Sequence, residues 1–256
     1  MKIIKPNEVE AHQKTATCET HGEYEFKFSN PGLGKIYVMD NCGKCAAIQN
    51  RKREAKELEE KEAEKKFTLE RIWERAGVSK RLFSKGFDDF VTDTDAKAYA
   101  KKVAMALCDD LKANRNTGSI IMNGGVGTGK TALCTSIIKE LAVKKRVRII
   151  KAVDLIRNLK GTWSKDNDST ETDLINFYSC IDLLIIDEVG VQFGSDTEKM
   201  FMFDIIDGRY QEMKPTILIS NLAIAGIKDL IGERVIDRLR EDGGKLVSFD
   251  WPSYRS

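Results

Sequence analysis

Apolar residues follow three different rhythms along the chain. At 24–28 (YEFKF) and 35–39 (KIYVM) they alternate with polar ones, and Asn30-Pro31-Gly32-Leu33-Gly34 lies between, so the two runs are expected to pair as a β-hairpin. Residues 51–66 (RKREAKELEEKEAEKK) are nearly devoid of apolar positions and hold thirteen charges, seven positive and six negative. Glu57 and Lys61, like Glu62 and Lys66, stand four apart and so on one helical face, which predicts an exposed helical spacer rather than a coiled coil. From about residue 80 the rhythm changes again. Val103, Ala106, Leu107 and Leu111 recur at helical spacing within 98–111. Five short apolar runs then alternate with helical stretches: 119–123, 147–150, 182–187, 216–220 and 245–249. Strands alternating with helices need crossover connections, so the expected fold is three-layer α/β with a mostly parallel sheet.

These shifts divide the chain into a small hairpin domain at 1–48, a charged helical linker at 49–79 and an α/β domain at 80–256. The 256 residues suit one to two domains, and an apolar content of 41% suits a packed core. Forty-two Lys and Arg against forty Asp and Glu give +2, so any basic surface must be local. There is no run of 18 apolar residues, and MKIIKPNEVE has no apolar signal core, which predicts neither a membrane span nor export.

Chemistry enters at Gly124-Gly125-Val126-Gly127-Thr128-Gly129-Lys130-Thr131, which follows one expected strand and opens an expected helix. Small residues let backbone N–H groups curl around a triphosphate, and the helix N-terminus adds positive potential. Lys130 is placed to bridge the β- and γ-phosphates, and the Thr131 hydroxyl to ligate Mg²⁺. The apolar run LLIID then ends in Asp187, expected to hold Mg²⁺ through water, followed by Glu188, expected to orient and deprotonate the attacking water. That acid favours ATP hydrolysis over passive nucleotide binding. Asn221, after TILIS, is either a γ-phosphate contact or a turn former. Arg234 and Arg238, four apart in GERVIDRL, are either a solvated helix face or a pair that stabilises charge on the transferred phosphoryl group.

Cys18-x2-His21 and Cys42-x2-Cys45 form two tight pairs 20 residues apart. Tetrahedral Zn²⁺ accepts three sulfurs and one nitrogen, and can fold a segment too small for its own core. The alternatives are a redox pair at Cys42/Cys45 or free thiols. Cys108, Cys134 and Cys180 fall among apolar residues on expected helices and read as buried thiols. His12 is assigned no role.

The succession GGVGTGKT, LLIIDE, ISN, GERVIDRL and FDWPSYRS resembles the DnaC-type replicative helicase loaders of the AAA+ ATPases, and more loosely the IstB transposition ATPases and DnaI loaders. The resemblance spans roughly residues 77–256. It implies Lys130 and Thr131 for ATP and Mg²⁺, Asp187 and Glu188 as metal-binding and catalytic acids, and Asn221 as a first sensor. It also implies Arg238 as a finger acting on a neighbouring subunit's ATP and Arg234 as its own subunit's sensor, the two roles being interchangeable at this stage. The implied partners are a hexameric replicative helicase, single-stranded DNA and further copies of the chain in a spiral. The implied setting is the cytoplasm of a bacterium or of a phage host. The chain stops soon after its fifth expected strand, so the helical lid of many AAA+ proteins is expected to be absent or much reduced. DnaI-type loaders also place a zinc-bearing domain ahead of the ATPase, and the amino-terminal domain grips the helicase. Residues 1–48 are accordingly read as a partner-binding module, with direct DNA contact as the rival.

A basic stretch at 141–165 offers a DNA surface: Lys144, Lys145, Arg146, Arg148, Lys151, Arg157, Lys160 and Lys165, with Trp163 to stack on a base. The alternative is local pairing, with Trp163 at a core edge. The polar run 164–173 is expected to be a mobile loop. Two rival functions remain: an IstB-like ATPase that assembles on DNA and regulates a transposase, and a scaffold that holds ATP without hydrolysing it.

Overall fold

The structure, a computed structural model, describes residues 2–4, 15–25, 27–29, 36–39, 42–164, 169–190 and 195–254, with backbone alone at 2–4, 27–29 and 36–39. His12, the turn at 30–34, Lys165 and the loop residues 165–168 lie outside them. Two compact units are present, Met1–Phe67 and Thr68–Ser256.

In the first unit, β1 (Lys2–Ile4), β5 (Ile36–Met39) and β4 (Lys27–Ser29) form an antiparallel sheet in that order. Lys27, Phe28 and Ser29 face Met39, Val38 and Tyr37, as a hairpin requires. The segment YEFKF is nevertheless divided between two sheets. Its first part lies in β3 (Gly22–Glu25), which pairs with β2 (Thr15–Cys18), a strand that the short polar run TATC did not advertise. The helix α1 runs from Gly43 to Arg75 with no buried residue. It exceeds the charged run at both ends, because the density of charge marks only its middle.

The second unit holds a five-stranded parallel sheet in the order β10 (Lys245–Phe249), β6 (Ile120–Gly124), β9 (Thr216–Ser220), β8 (Leu183–Val189), β7 (Val147–Lys151). The twofold period of a strand sends its side chains to opposite faces. Ile120, Met122, Leu183, Ile185, Ile217 and Ile219 go to one face, where α2 (Asp95–Lys112) and α3 (Lys130–Leu141) bury Leu107, Cys108, Leu133, Cys134, Ile137 and Ile138. Ile121, Leu184, Ile186 and Leu218 go to the other, against α4 (Ala152–Gly161), α5 (Glu171–Cys180), α6 (Asp196–Gln211), α7 (Ile224–Ile231) and α8 (Glu233–Arg240). Both faces are covered, which is why the strands read as nearly unbroken apolar runs. Cys108 and Cys134 are buried as expected, whereas Cys180 is exposed. It ends α5, whose buried residues are its neighbours Tyr178 and Ser179.

The sheet order decides where the chemistry gathers. β9 lies between β6 and β8, so the carboxyl ends of these three strands bring the glycine-rich loop, Asn221 and the acid pair to one edge.

Candidate functional site

A cleft of about 870 Å³ opens at that edge. Val126 to Ala132, Asp187, Glu188, Asn221, Leu82, Phe90, Val91 and Tyr254 line it. Gly124 leaves β6 at φ +137°, and a Cβ there would stand 2.4 Å from the Phe249 carbonyl oxygen. Gly129 caps α3 in the left-handed region at φ +96°. Side chains at these two positions would lift the loop off β10 or distort the entrance to α3. The loop therefore keeps its N–H groups at a helix N-terminus, the arrangement that attracts phosphate.

Lys130 is buried and donates to the carbonyls of Gly124 and Gly125, both at 2.7 Å, and to the Thr128 hydroxyl at 3.2 Å. Burial pulls its ammonium below the usual range, with Asp187 acting in the opposite sense. Its charge is held by carbonyl dipoles, and an anion in the loop is the better partner.

The Thr131 hydroxyl donates to Asp187 Oδ2 at 2.9 Å. Hydroxyl and carboxylate thus lie side by side, as a threonine that ligates Mg²⁺ and an aspartate that holds the same ion through water would be. Burial raises the Asp187 carboxyl above its ordinary range, and hydrogen bonds from Thr131 and the Glu188 N–H pull it back only in part. A buried carboxylate of that kind is an acceptor in want of a cation.

Glu188 departs from strand geometry. Its φ is +58°, and the pairing of β8 with β9 shifts register between Ile186 and Val189. This bulge breaks the alternation, leaving Glu188 exposed on the cleft while Val189 returns to the core. The Glu188 carboxylate is engaged by Lys151 from the end of β7, at 2.8 and 3.0 Å. Asn221 lies on the cleft wall beside Gly190, exposed.

The two arginines are not brought to this cleft. Arg238 lies at the opposite edge of the sheet, beside the starts of β6 and β9. There it pairs with Asp207 at 3.1 Å, reaches Glu241 at 3.6 Å and covers the Tyr210 ring. Arg234, one turn earlier, is exposed and has no ion pair among the described residues. Arg238 is thus engaged within its own fold, whereas the finger role that the resemblance implies for it concerns a neighbouring subunit's ATP.

Sequence reasoning missed the strap that follows β10. The Trp251 indole donates to the Thr128 carbonyl at 2.9 Å, and the Tyr254 N–H to the Gly127 carbonyl at 3.0 Å. Nothing in the spacing of the terminal motif FDWPSYRS tells which loop it ties down.

The expected DNA stretch is neutralised only in part, since three of its basic residues are ion-paired. Lys151 pairs with Glu188, Arg157 with Asp154 and Lys160 with Glu198, while Arg146 donates to the Cys180 carbonyl. Trp163 donates to Glu171 at 2.7 Å and approaches Phe201. Part of the expected polar loop is helix, since Thr170 caps α5.

In the first unit the end of β2 and the turn after it supply Cys18 and His21, and Cys42, just before α1, and Cys45, in its first turn, complete the set. Cys18 Sγ lies 3.5 Å from Cys45 Sγ, and His21 Nδ1 lies 3.2 to 3.6 Å from the three sulfurs. Zinc bonds of ~2.3 Å to sulfur and ~2.0 Å to nitrogen give tetrahedral edges of about 3.6–3.8 Å, so the donor set fits Zn²⁺. The three cysteines are free thiols. The Thr20 backbone and then His21 bring the Cys18 thiol down to about 6, while hydrogen bonding to Cys18, then burial, pushes Cys45 up to about 11.

No helix among the described residues is long and apolar enough to cross a membrane. The family model described as IstB-like ATP binding protein matches residues 58–255. The replicative helicase loader DnaC of Buchnera aphidicola subsp. Schizaphis graminum is 35% identical over 192 residues, covering 75% of this chain and 77% of that protein. A crystal structure of the DnaC helicase loader has the same fold, with a TM-score of 0.57 over 66% of this chain and 99% of that one at 22% identity. AMPPCP-bound DnaA from Aquifex aeolicus gives a TM-score of 0.54 over 64% of this chain and 49% of its own at 26% identity. With its phosphate loop, acid pair and five-stranded sheet accounted for, the chain belongs to the IstB-like ATP-binding family of AAA+ ATPases.

Proposed function

We propose that this protein is an ATP-hydrolysing loader that places a replicative helicase on single-stranded DNA. The observation that carries the reading is the cleft itself. Loop 124–131, Asp187 and Glu188 meet at one sheet edge, in a chain 35% identical over most of its length to a helicase loader. That relative favours helicase loading over the transposase regulator.

The loop N–H groups and Lys130 bind the β- and γ-phosphates. The Thr131 hydroxyl, with Asp187 through water, would hold Mg²⁺, which would supply charge neutralisation there. Glu188 takes a proton from water as the water oxygen forms its bond to the γ-phosphorus. The bond from that phosphorus to the bridging oxygen breaks, its electron pair leaving on ADP. Asn221 orients the water. We assign the arginine acting across a subunit boundary to Arg234, since it is exposed and unpaired, and give Arg238 a structural role. A complete site then needs an oligomer, so that ATP binding orders the assembly and hydrolysis releases it.

The amino-terminal unit binds Zn²⁺ through Cys18, His21, Cys42 and Cys45 and serves as the grip on the helicase. The charged helix links it to the ATPase unit.

The test is co-purification with a hexameric replicative helicase, with and without ATP, alongside phosphate release. The reading requires nucleotide-dependent capture and turnover that Lys130→Ala and Glu188→Gln abolish. Capture of a transposase instead, or turnover indifferent to both substitutions, refutes it.

A further inference from the structure

The cleft extends well past the phosphate loop, and how its far end is held points to a residue with no role so far. Ser136 lines the cleft six residues after Lys130, about 9 Å further along α3 at 1.5 Å per residue. Beyond the phosphates the walls are Leu82, Phe90 and Val91 with the stem of Arg81, in a segment (80–91) whose regular structure is limited to two short 3-10 turns. Such a segment has few ladder hydrogen bonds of its own, so something else must fix it.

Lys139, in the last turn of α3, does so. Its ammonium donates to the carbonyl of Phe83 at 2.5 Å and of Lys85 at 2.6 Å, and lies 4.5 Å from the centre of the Trp73 ring. It has no ion pair among the described residues. Asp89, whose charge it feels, instead accepts from the Gly86 N–H at 2.7 Å. A lysine neutralised by two carbonyls and a ring face is an expensive way to cover a helix, since burial of the ammonium works against its charge. What the arrangement achieves is geometric: it fastens the apolar cleft wall to the same helix whose first turn holds the phosphates.

We infer that Lys139 is a positioning residue for the base end of the nucleotide, holding segment 83–85 so that Leu82, Phe90 and Val91 form a rigid slot for a flat heteroaromatic ring. The inference rests on the reading of the cleft as an ATP site. Phosphate recognition, about 14 Å away along α3, is independent of it.

The two functions separate experimentally, because inorganic tripolyphosphate carries the phosphates without the base. In the full-length protein with Mg²⁺, Lys139→Met raises the KM for ATP about tenfold, the loss of roughly one charge-assisted hydrogen bond. Meanwhile kcat and the inhibition constant of tripolyphosphate stay as in wild type. Lys139→Arg, which still reaches two carbonyls, restores the KM to within about threefold. A second measurement needs no variant: in hydrogen exchange on the wild type, ATP protects the amides of residues 82–91 and tripolyphosphate does not. An unchanged KM in Lys139→Met, an equal loss of tripolyphosphate binding, or protection of 82–91 by both ligands or neither overturns the inference. Wild type that binds neither ligand refutes the ATP-site reading instead.

Discussion

Replacing Lys151 with methionine is expected to accelerate ATP hydrolysis. Lys151 Nζ approaches both oxygens of Glu188, at 2.8 and 3.0 Å, so the carboxylate proposed to take a proton from water is occupied by an ammonium. The two side chains are 53% and 59% exposed, and such solvent-screened pairs are worth about 0.2–1 kcal/mol. At that strength Glu188 is free for between ~40% and ~15% of the time, so removing the lysine raises the free fraction about two- to sixfold. Methionine keeps the length of the stem and leaves β7 undisturbed. The assay is steady-state phosphate release at saturating ATP and Mg²⁺, repeated over a range of ionic strength. Wild-type turnover should rise with salt as the pair is screened, and the variant should be faster at low salt and flat thereafter. A fall in turnover in Lys151→Met would mean that the ammonium aims Glu188 rather than restrains it, and the reasoning would be refuted.

Burial holds the Asp187 carboxyl above its ordinary pKa, so its neutral form is favoured in the fold and its contribution to stability is lost as pH rises through that value. In thermal unfolding at neutral pH without Mg²⁺, Asp187→Asn should therefore raise Tm while turnover falls to background; a lower Tm would contradict this. By the same linkage, Mg²⁺-dependent ATP binding should weaken on acidification at a higher pH than an exposed aspartate would give, as titration calorimetry can check. Elemental analysis should find one zinc per chain, absent from Cys42→Ser; a metal-free, folded wild type would remove the zinc assignment. Arg238→Ala should lower Tm by ~2–4 °C, from the loss of roughly 1 kcal/mol of half-buried pairing, and leave ATP binding intact. Arg234→Ala should leave Tm alone and reduce turnover only at concentrations where the protein assembles; equal behaviour of the two variants would undo the assignment.

The parallel sheet was legible because both of its faces are covered: each strand is an apolar run, and the five observed strands lie within two residues of the expected ends. The Cys/His set and the phosphate loop were legible because their ligands come in short, fixed spacings. What escaped is made of contacts between distant residues. Lys151 with Glu188 and Lys160 with Glu198 are 37 and 38 residues apart, so part of the charge of a stretch that reads as basic is offset by distant acids. Arg209 is likewise an ordinary helical arginine in sequence. In the fold it is buried and donates to the carbonyls of Tyr178, Ile181 and Pro215. Burial brings its pKa down to about 9.

The arginine pair shows where connectivity could have gone further than motif. Periodicity correctly places Arg234 and Arg238 on one helical face, but a face does not say which end of the sheet it serves. α8 leads directly into β10, and β10 runs parallel to β6, with Lys245 opposite Ile120 and Phe249 opposite Gly124. The phosphate loop follows the end of β6, so the start of β10 lies at the far edge, and the last turn of α8 must lie there too. Arg238 is in that turn and finds Asp207 and Tyr210. Arg234, a turn of roughly 6 Å nearer the phosphate edge, is exposed and has no ion pair among the described residues, as the proposed contact with another subunit requires. The direction of one helix, fixed by the parallel strand that follows it, thus gives two arginines that the motif alone leaves interchangeable different surroundings, and the proposed division of roles rests on that difference.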